Sequence, residues 1–435
     1  MRLRFLLLGL FVLPLHATVI GRSEPAMSIT RARVAGLPAR DRAAWVTYLQ
    51  RSQMQMKRDR AALAAERRAG EPEPPMPKGS AGVRTIPLDR DAEWYGTAEA
   101  RHVADVIVSF QTPAGGWSKN LDMSGAARLP GQSYTPDNLS KHLGVGDFDE
   151  PKDPHWNYVG TLDNGATNTE LRFLAEVSGR TPGAAGKVYR TSFLRGMRYL
   201  LAAQFPNGGW PQVWPLEGGY HDAVTYNDDA VTKTAETLTM VAAGEGDYAF
   251  VSAELRRRAA GSAARALKCI LATQVVVRGQ RTIWAQQYDA LKLRPVAGRN
   301  YEPAALSSAE STNILLYLMM LPHPSPAVVA AVQFGVKWLK EASVKNHAWE
   351  GGPDAPDGWH LEPKAGANPI WARFYSIDKG APIFGDRDKT IHDEVNELSL
   401  ERRDGYAWYG RAPQKALDAY DKWEWANTDA KDARP

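Results

Sequence analysis

The sequence predicts an all-α fold, an α/α toroid preceded by a short N-terminal helical extension. Three observations lead to this prediction: apolar residues recur at helical spacing, strand-like alternation is scarce, and a common motif closes successive helices. Residues 109–117 and 203–210 each carry a glutamine, a Gly-Gly pair and a tryptophan at a helix end, and residues 272–284 form a degenerate third copy. Helix hairpins that recur in this way are typical of toroids, whose loops at one end build a cleft.

Apolar periodicity predicts eight helices in the main part of the chain, at residues 99–110, 170–177, 189–204, 229–243, 250–274, 308–321, 326–342 and 413–427. Ahead of the second helix, Thr167 and Glu170 match a capping box, and Gly179 is its expected stop. One or two further helices are expected between residues 30 and 68. A proline-rich linker at residues 71–77 then follows, because proline cannot continue a helix.

Length and composition are those of an ordinary globular protein. The chain has 435 residues, of which 44% are hydrophobic and 23% charged, enough to bury a large core. Its 53 Lys and Arg against 49 Asp and Glu leave a net charge of +4. This balance does not argue for nucleic acid as a partner, whereas an acidic substrate is consistent with it.

The N-terminus has the pattern of a secretory signal. A basic start at residues 1–4 precedes an apolar run at residues 5–15 that is too short to span a bilayer, and Ala17 offers a small residue for cleavage. No later stretch has the length of a transmembrane helix, so we expect a secreted or periplasmic monomer without a membrane partner. The predicted division is residues 1–17 as signal peptide, 28–82 as helical segment and linker, and 83–435 as the main domain.

The first candidate site is the turn at residues 161–167, where Asp163, Asn164 and Gly165 precede a helix. Asn-Gly favours left-handed backbone geometry, which would hold the acidic and amide side chains at the mouth of a cleft. Most Asp-Asn-Gly turns in globular proteins are only turns, so this motif alone does not establish a site.

A second acidic turn at residues 226–230 contains Asp228 and Asp229. Taken singly, Asp228 is more simply explained as a helix cap. Taken with Asp163, it belongs to a pair of similar turns that would converge on one face of a toroid. Carboxylate and amide oxygens suit calcium, and the histidines show no zinc-like spacing. The single cysteine, Cys269, excludes thiolate sites and is predicted to be a buried structural thiol.

Three arginines stand in loops where they could bind an acidic ligand. Arg299 lies in the loop at residues 295–303, although a lone arginine there is normally a surface residue or a salt-bridge partner. Arg373 and Arg387 lie in an aromatic-rich stretch, and each guanidinium can form two parallel hydrogen bonds with a planar carboxylate. The neighbouring acids at positions 386 and 388 could instead pair with Arg387.

Other motifs have simpler interpretations. Trp117, Trp210 and Trp214 could stack against sugar rings, but tryptophan near a glycine turn is more often part of the core. The acidic run at residues 147–153 lacks the glycine and the distant glutamate of an EF-hand loop, so we interpret it as a solvated loop.

Together these blocks resemble the family 10 polysaccharide lyases, pectate lyases that fold as an (α/α)3 toroid. The resemblance extends from about residue 92 to residue 410, with the blocks in the same order and at similar spacing. The matching stretches are residues 115–120, 161–167, 208–212, 226–228, 284–289, 372–375 and 386–388.

The resemblance implies calcium-dependent cleavage of polygalacturonate, the backbone of pectin, with an arginine as catalytic base. By motif, Arg299 is the implied base, Asp163 and Asp228 are the implied calcium carboxylates, and Asn164, Arg373 and Arg387 are the implied substrate-binding residues. The loop around Arg299 departs from the family pattern, as does Asp229, which stands where a small residue is more usual.

The implied reaction is β-elimination, in which a base removes the C5 proton of a galacturonate ring and the bond from C4 to oxygen breaks. Because a neutral guanidine is rare near neutral pH, an alkaline optimum is expected. Two alternatives remain: a glycoside hydrolase on an α/α toroid that uses Asp163 and Asp228 as acid and base, and a noncatalytic pectin-binding homologue.

Overall fold

The computed structural model describes residues 18–79 and 85–432, with side chains described up to residue 423. The predicted signal peptide and the predicted start of the main domain at residue 83 lie outside the described residues. The described part of the chain is rich in helices, as predicted. No helix within it combines the length and the apolar character needed to cross a membrane.

In the described residues, helices form all eight spans predicted in the main part of the chain and two in the N-terminal segment, and one further short helix, α10, was not predicted. They are α1 (Arg31–Ala35), α2 (Ala39–Glu66), α3 (Ala98–Phe110), α4 (Asn168–Arg180), α5 (Gly183–Ala203), α6 (Ala230–Ala243), α7 (Ala253–Thr273), α8 (Ser308–Met320), α9 (Pro326–Glu341), α10 (Leu400–Asp404) and α11 (Ala412–Asp432).

The main helices pair into hairpins that lie in two rows. Helix α4 packs against α5, α6 against α7, and α8 against α9. Helices α4, α6 and α8 also contact one another in that order, and α5, α7 and α9 form the second row. The turns that precede α4 and α6 contact each other, so the two acidic turns of the sequence meet at one end of the first row.

Short antiparallel strands connect the loops. They are β1 (Val19–Arg22), β2 (Val224–Thr225), β3 (Val276–Val277), β4 (Gln280–Arg281), β5 (Gln287–Tyr288), β6 (Leu306–Ser307), β7 (His347–Glu350), β8 (His360–Pro363), β9 (Trp371–Ala372), β10 (Phe374–Tyr375), β11 (Phe384–Gly385), β12 (Thr390–His392) and β13 (Tyr409–Gly410). One sheet has three strands in the order β1-β12-β11, and the remaining strands pair in twos. The β6–β10 pair, with Ser307 opposite Phe374, brings the loop of Arg373 to the start of α8.

The N-terminal segment packs against the main helices. Strand β1 pairs with β12, and the Tyr48 hydroxyl on α2 donates to the Ala203 carbonyl at the end of α5 over 2.9 Å. The rings of Trp45 and Tyr48 lie 5.3 and 5.1 Å from the ring of Phe205. These residues belong to the same hydrophobic core as the main helices, so burial of apolar surface holds the segment in place.

A buried tryptophan follows each of the helices α3, α5, α7 and α9. Its indole N–H donates to a carbonyl of the preceding helix: Trp117 to Ile107, Trp210 to Leu200, Trp284 to Ile270 and Trp371 to Leu339, over 2.7 to 2.8 Å. The core position predicted for the first two, and for Trp214, is confirmed. The sequence pattern predicted three copies of the motif, and Trp371 forms a fourth that lacks the Gly-Gly pair.

Three of these helices end at a buried glutamine that joins neighbouring helices. The Gln204 amide donates to the carbonyls of Gly208, in its own loop, and Ser262, on α7, over 2.9 and 3.0 Å. Gln111 and Gln274 make the equivalent pairs of bonds. The recurring glutamine of the sequence therefore joins α3 to α5, α5 to α7 and α7 to α9.

Replacing Gln204 with leucine should lower the free energy of unfolding by about 1–3 kcal/mol, because two buried carbonyls lose their donor. Unfolding in denaturant measures the change, and Gln53→Leu, at an exposed position of α2, is the control. Equal stability of the two variants would contradict the role given to the glutamine.

The capping box predicted at the start of α4 is wrong. Thr167 has a φ of 65° and makes no side-chain cap bond. Its hydroxyl instead accepts the Trp117 N–H over 3.1 Å and donates to the Thr161 carbonyl over 2.8 Å, so it joins the tryptophan motif to the acidic turn. Helix α4 also continues one residue past Gly179. By contrast, Cys269 is buried as predicted, and burial raises its thiol pKa to about 12.

Candidate active site

A polar cavity of about 220 Å³ lies where the turns ahead of α4 and α6 meet the loops that follow the repeated tryptophans. Five of the six predicted site residues line it: Asp163, Asn164, Asp228, Arg299 and Arg373. The other lining residues are Lys119, Tyr158, Gln212, Tyr220, Asn227, Gln286, Gln287, Glu302 and Tyr406.

Left-handed backbone geometry aims the acidic side chains of both turns. Asn164 has φ 53° and Gly165 φ 73°, as expected for Asn-Gly, while Asp228 and Asp229 have φ values of 49° and 63°. Non-glycine residues rarely adopt this geometry, and they are found in it mostly at turns and functional sites. The predicted convergence of the two acidic turns on one cavity is confirmed.

Asp163 is a buried carboxylate that accepts three hydrogen bonds from other residues of the cavity. Its Oδ2 accepts from Lys119 Nζ over 2.5 Å, and its Oδ1 accepts from Gln212 Nε2 over 2.7 Å and from Asn227 Nδ2 over 3.3 Å. Burial alone would raise the pKa of Asp163, but the Lys119 ammonium, a hydrogen bond with Asp228 and the charge of Arg299 together hold the pKa below its ordinary value. Asp163 is therefore ionised over the whole working range of an enzyme.

The pKa of Asp228 is shifted in the opposite direction to that of Asp163. Burial, followed by the negative charge of Asp163, raises its pKa well above the ordinary value. Asn227 Nδ2 donates to its Oδ2 over 2.8 Å. Asp229 does not line the cavity: its carboxylate accepts from Asn313 over 2.5 Å and lies 3.5 Å from the Lys233 ammonium. Asp229, the second acid of this turn, therefore pairs outside the cavity that Asp163 and Asp228 line.

Arg299 is held by Glu302. Its main-chain N–H donates to Glu302 Oε2 over 2.8 Å and its Nη2 donates to Oε1 over 2.7 Å. About a third of the Arg299 side chain, 34%, stays exposed. Burial alone would lower the pKa of Arg299, but the Glu302 carboxylate, together with Tyr301 and Tyr406, raises the pKa well above the ordinary value. In this arrangement Arg299 is a cation.

Arg373 is held by Glu310 on α8 and by Asn227 in the turn ahead of α6. Its Nη2 donates to Glu310 Oε1 over 2.6 Å and to Asn227 Oδ1 over 3.3 Å, and its guanidinium lies 4.7 Å from the ring of Tyr406. The buried Nε has no hydrogen-bond partner among the described residues. The guanidinium therefore keeps a donor for an acidic ligand.

Arg387 is the one predicted site residue that does not line the cavity. Its Nε and Nη2 donate to the two oxygens of Glu401 over 3.0 and 2.9 Å, so a residue outside the predicted acidic neighbours pairs with it. Its carbonyl accepts from Asn300 Nδ2 over 2.7 Å. Arg387 thus supports the loop next to Arg299, and its predicted binding of substrate remains a prediction.

The acidic run at residues 147–153 is half-buried or exposed throughout, which agrees with the predicted solvated loop, but its first residues also contact the loop of Arg299. Asp147 accepts from Asn300 Nδ2 over 2.6 Å, and the Phe148 N–H donates to Asn300 Oδ1 over 2.9 Å. Asp149 feels the charge of Arg299, although burial is the larger influence and raises its pKa. This run forms a wall beside the arginine loop.

The sequence analysis gave no role to several cavity residues that one pattern could have identified. Each of the four repeated tryptophans is followed two positions later by a residue that lines the cavity: Lys119, Gln212, Gln286 and Arg373. The tryptophan fixes the loop, and the residue two positions later extends into the cavity. Asn227, Glu302 and Tyr406 carry no comparable signal.

The donor set fits a hard cation such as calcium. Two carboxylates, of Asp163 and Asp228, lie beside the amide of Asn164 and the buried Oε1 of Gln212, which has no hydrogen-bond partner among the described residues. Calcium takes six to eight oxygen ligands. The described residues hold no cluster of three or more acidic, His or Cys side chains, so amides, water or an acidic ligand would complete the shell.

Comparisons with known proteins agree with the resemblance. Residues 111–417 match the family model described as pectic acid lyase. A family 10 polysaccharide lyase from Cellvibrio cellulosa has a similar structure, with 28% identity, a TM-score of 0.64, and coverage of 77% of this chain and 95% of that chain. An aspartate-to-alanine variant of a family 10 lyase from C. cellulosa, in complex with trigalacturonic acid, is also similar. Its identity is 28% and its TM-score 0.63, and the match covers 76% of this chain and 95% of that chain. No curated protein matches the chain significantly.

Proposed function

Because the chain belongs to the pectic acid lyase family, we propose that this pectate lyase cleaves α-1,4-linked polygalacturonate by β-elimination and releases unsaturated oligogalacturonates. The observation that carries the proposal is the meeting of Asp163, Asp228, Arg299 and Arg373 in one cavity. We also propose that the two rows of helices close as an (α/α)3 toroid and that the protein is a secreted or periplasmic monomer.

The cavity suits an acidic sugar chain. Four lining residues stand two positions after a repeated tryptophan. Two of them, Lys119 and Arg373, supply positive charge, and the other two, Gln212 and Gln286, supply amides. An arginine can bind a planar carboxylate through two hydrogen bonds. The trigalacturonic acid bound to the similar lyase is a ligand of this class.

In the proposed mechanism, Arg299 takes the proton from C5 of a galacturonate ring. The electron pair of the C5–H bond forms the double bond between C4 and C5, the C4–O bond breaks, and water supplies a proton to the leaving oxygen. Only a neutral guanidine can accept the proton. Because Glu302 holds Arg299 as a cation, the active fraction should grow as the pH rises.

Loss of the C5 proton spreads negative charge onto the C6 carboxylate. Arg373 can stabilise this charge through the donor that Glu310 and Asn227 leave available. Asp163 keeps Lys119 in the cavity wall through their ion pair. Calcium, when held by Asp163 and Asp228 with amide oxygens of Asn164 and Gln212, would add a positive charge beside the same carboxylate.

The test is an assay of the purified protein on low-ester polygalacturonate, followed by the ultraviolet absorbance of the unsaturated product. We expect absorbance to rise with calcium, to stop with excess chelator and to return when calcium is restored, with magnesium as the control. New reducing ends without absorbance would indicate a hydrolase instead. Binding without any product would indicate a noncatalytic homologue, and turnover unaffected by chelator would exclude the calcium role.

A further inference from the structure

We propose that Glu302 is a positioning residue for Arg299, which fixes the direction of its guanidinium and sets the pH range in which the enzyme works. This inference rests on the proposed role of Arg299 as base. It concerns a side chain to which neither the sequence pattern nor the family resemblance gave a function.

The geometry of Glu302 is fully committed to this contact. Its side chain is 3% exposed. Oε2 accepts the Arg299 main-chain N–H, and Oε1 accepts both Arg299 Nη2 over 2.7 Å and the Tyr406 hydroxyl over 2.8 Å. One carboxylate therefore binds the backbone and the head group of the same arginine, so the guanidinium cannot rotate without losing a charge-assisted hydrogen bond.

The backbone of the loop is built around the same contact. The Gly298 N–H donates to the Glu302 carbonyl over 3.0 Å, and the Glu302 N–H donates to the Arg299 carbonyl over 2.9 Å. A Cβ at position 298 would meet Glu302 Oε2 and Gln287 Oε1 at 2.4 Å. The glycine thus leaves the space that the carboxylate occupies.

Tyr406 extends the contact to the second arginine. Its hydroxyl binds Glu302, while its ring lies 5.9 Å from the guanidinium of Arg299 and 4.7 Å from that of Arg373. Cations are attracted to the face of an aromatic ring within about 6 Å. The position of Glu302 is therefore coupled to both arginines of the cavity.

Several other titratable groups surround Arg299. Tyr301 and Tyr406 flank it, and Asp149 approaches from the 147–153 wall. The charge of Arg299 also acts on a further set of titratable groups: Asp163, Asp228, Tyr158, Tyr220 and His221. Among the described residues, Glu302 is the acid that hydrogen-bonds to Arg299, and its charge is the largest influence favouring the cation.

The charge of Glu302 and its geometry have separable consequences. As an anion in contact, it stabilises the protonated guanidinium, so the neutral base forms only at higher pH. As an acceptor of three hydrogen bonds, it holds the head group in one direction, which favours proton transfer once the base is neutral. Removing the charge of Glu302 should move the pH profile to lower pH. Shortening its side chain, so that the carboxylate no longer reaches its partners, should lower the rate.

The experiment compares Glu302→Gln and Glu302→Asp with the wild-type enzyme in the full chain. For Glu302→Gln we expect the rising limb of kcat/KM against pH to move down by about 1–3 pH units, as expected when an opposite charge in contact is lost. For Glu302→Asp, which keeps the charge but shortens the side chain, the limb should stay in place while kcat at the plateau falls at least tenfold. Glu341→Gln, a surface ion-pair residue, should leave the profile unchanged.

The outcomes separate this inference from the proposed function. A wild-type protein that forms no unsaturated product overturns the proposed function itself. An active wild type with an unmoved limb in Glu302→Gln overturns the inference, because a merely structural glutamate would lower the rate without shifting the limb. If Glu302→Gln does not fold, Glu302→Asp decides, with thermal unfolding measured beside the assay. A lowered plateau in a protein as stable as the wild type supports the positioning role, whereas a wild-type plateau, or a plateau that falls together with the stability, overturns it.

Discussion

Replacing Arg299 with alanine should lower kcat on polygalacturonate by about 10²- to 10⁴-fold, the usual contribution of a general base. The variant loses the group proposed to take the C5 proton and leaves the buried Glu302 without its ion-pair partner. Thermal unfolding should accompany the assay, since an unpaired buried charge also reduces stability. The exposed Arg278 provides the control, and Arg278→Ala should retain wild-type turnover. Wild-type kcat in a folded Arg299→Ala protein would exclude the base role.

Arg299→Lys sharpens the same test. Lysine keeps the positive charge for Glu302, but its ammonium is a compact group that cannot reproduce the planar contact. Its ordinary pKa of about 10.4 lies below that of arginine, so any residual activity should begin at lower pH than in the wild type. A residual activity that begins at the wild-type pH would show that position 299 does not titrate in the reaction.

Replacing Asp163 with asparagine should lower kcat by about 10²- to 10³-fold, comparable to the loss of a preorganised electrostatic group in other enzymes. The substitution keeps the shape of the side chain but removes the negative charge that pairs with Lys119 and that would hold calcium. The calcium concentration required for half-maximal activity should rise at the same time.

Titration with calcium and assay of the unsaturated product measure both effects. Asp354→Asn, at an exposed loop position, is the matched control and should behave as the wild type. An Asp163→Asn protein with unchanged kcat and unchanged calcium dependence would show that this carboxylate neither holds the metal nor supports the reaction.

The parts of the molecule that follow local rules could be predicted from the sequence. Helices such as α6 and α7 have apolar periodicity, and the Asn164–Gly165 turn has the chemistry of left-handed backbone. The capping box predicted at Thr167 does not form, because the Thr167 hydroxyl accepts a hydrogen bond from a more distant group, the main-chain N–H of Trp117. Local matching cannot register such competition from another part of the chain.

The partners of charged residues could not be predicted for the same reason. Arg387 stands between two aspartates in the sequence, yet it pairs with Glu401 on α10. Arg299 and Glu302 are close in the sequence, but only the folded loop shows that the acid binds both the backbone and the head group. Lys119 lies in the matching stretch at residues 115–120, but no role could be assigned to it from the sequence because its partner Asp163 lies 44 positions away.

Each repeated tryptophan supports the wall of the cavity, while the residue two positions later provides the chemical group that faces the cavity. Each indole is anchored to a helix carbonyl in the core, while the residue two positions later is free to vary: lysine, glutamine, glutamine and arginine occupy the four equivalent places. An exchange at one of these places changes the charge presented to a sugar without repacking the core. The charge that faces the cavity can therefore differ from one of the four places to the next while the same kind of indole contact supports each of them.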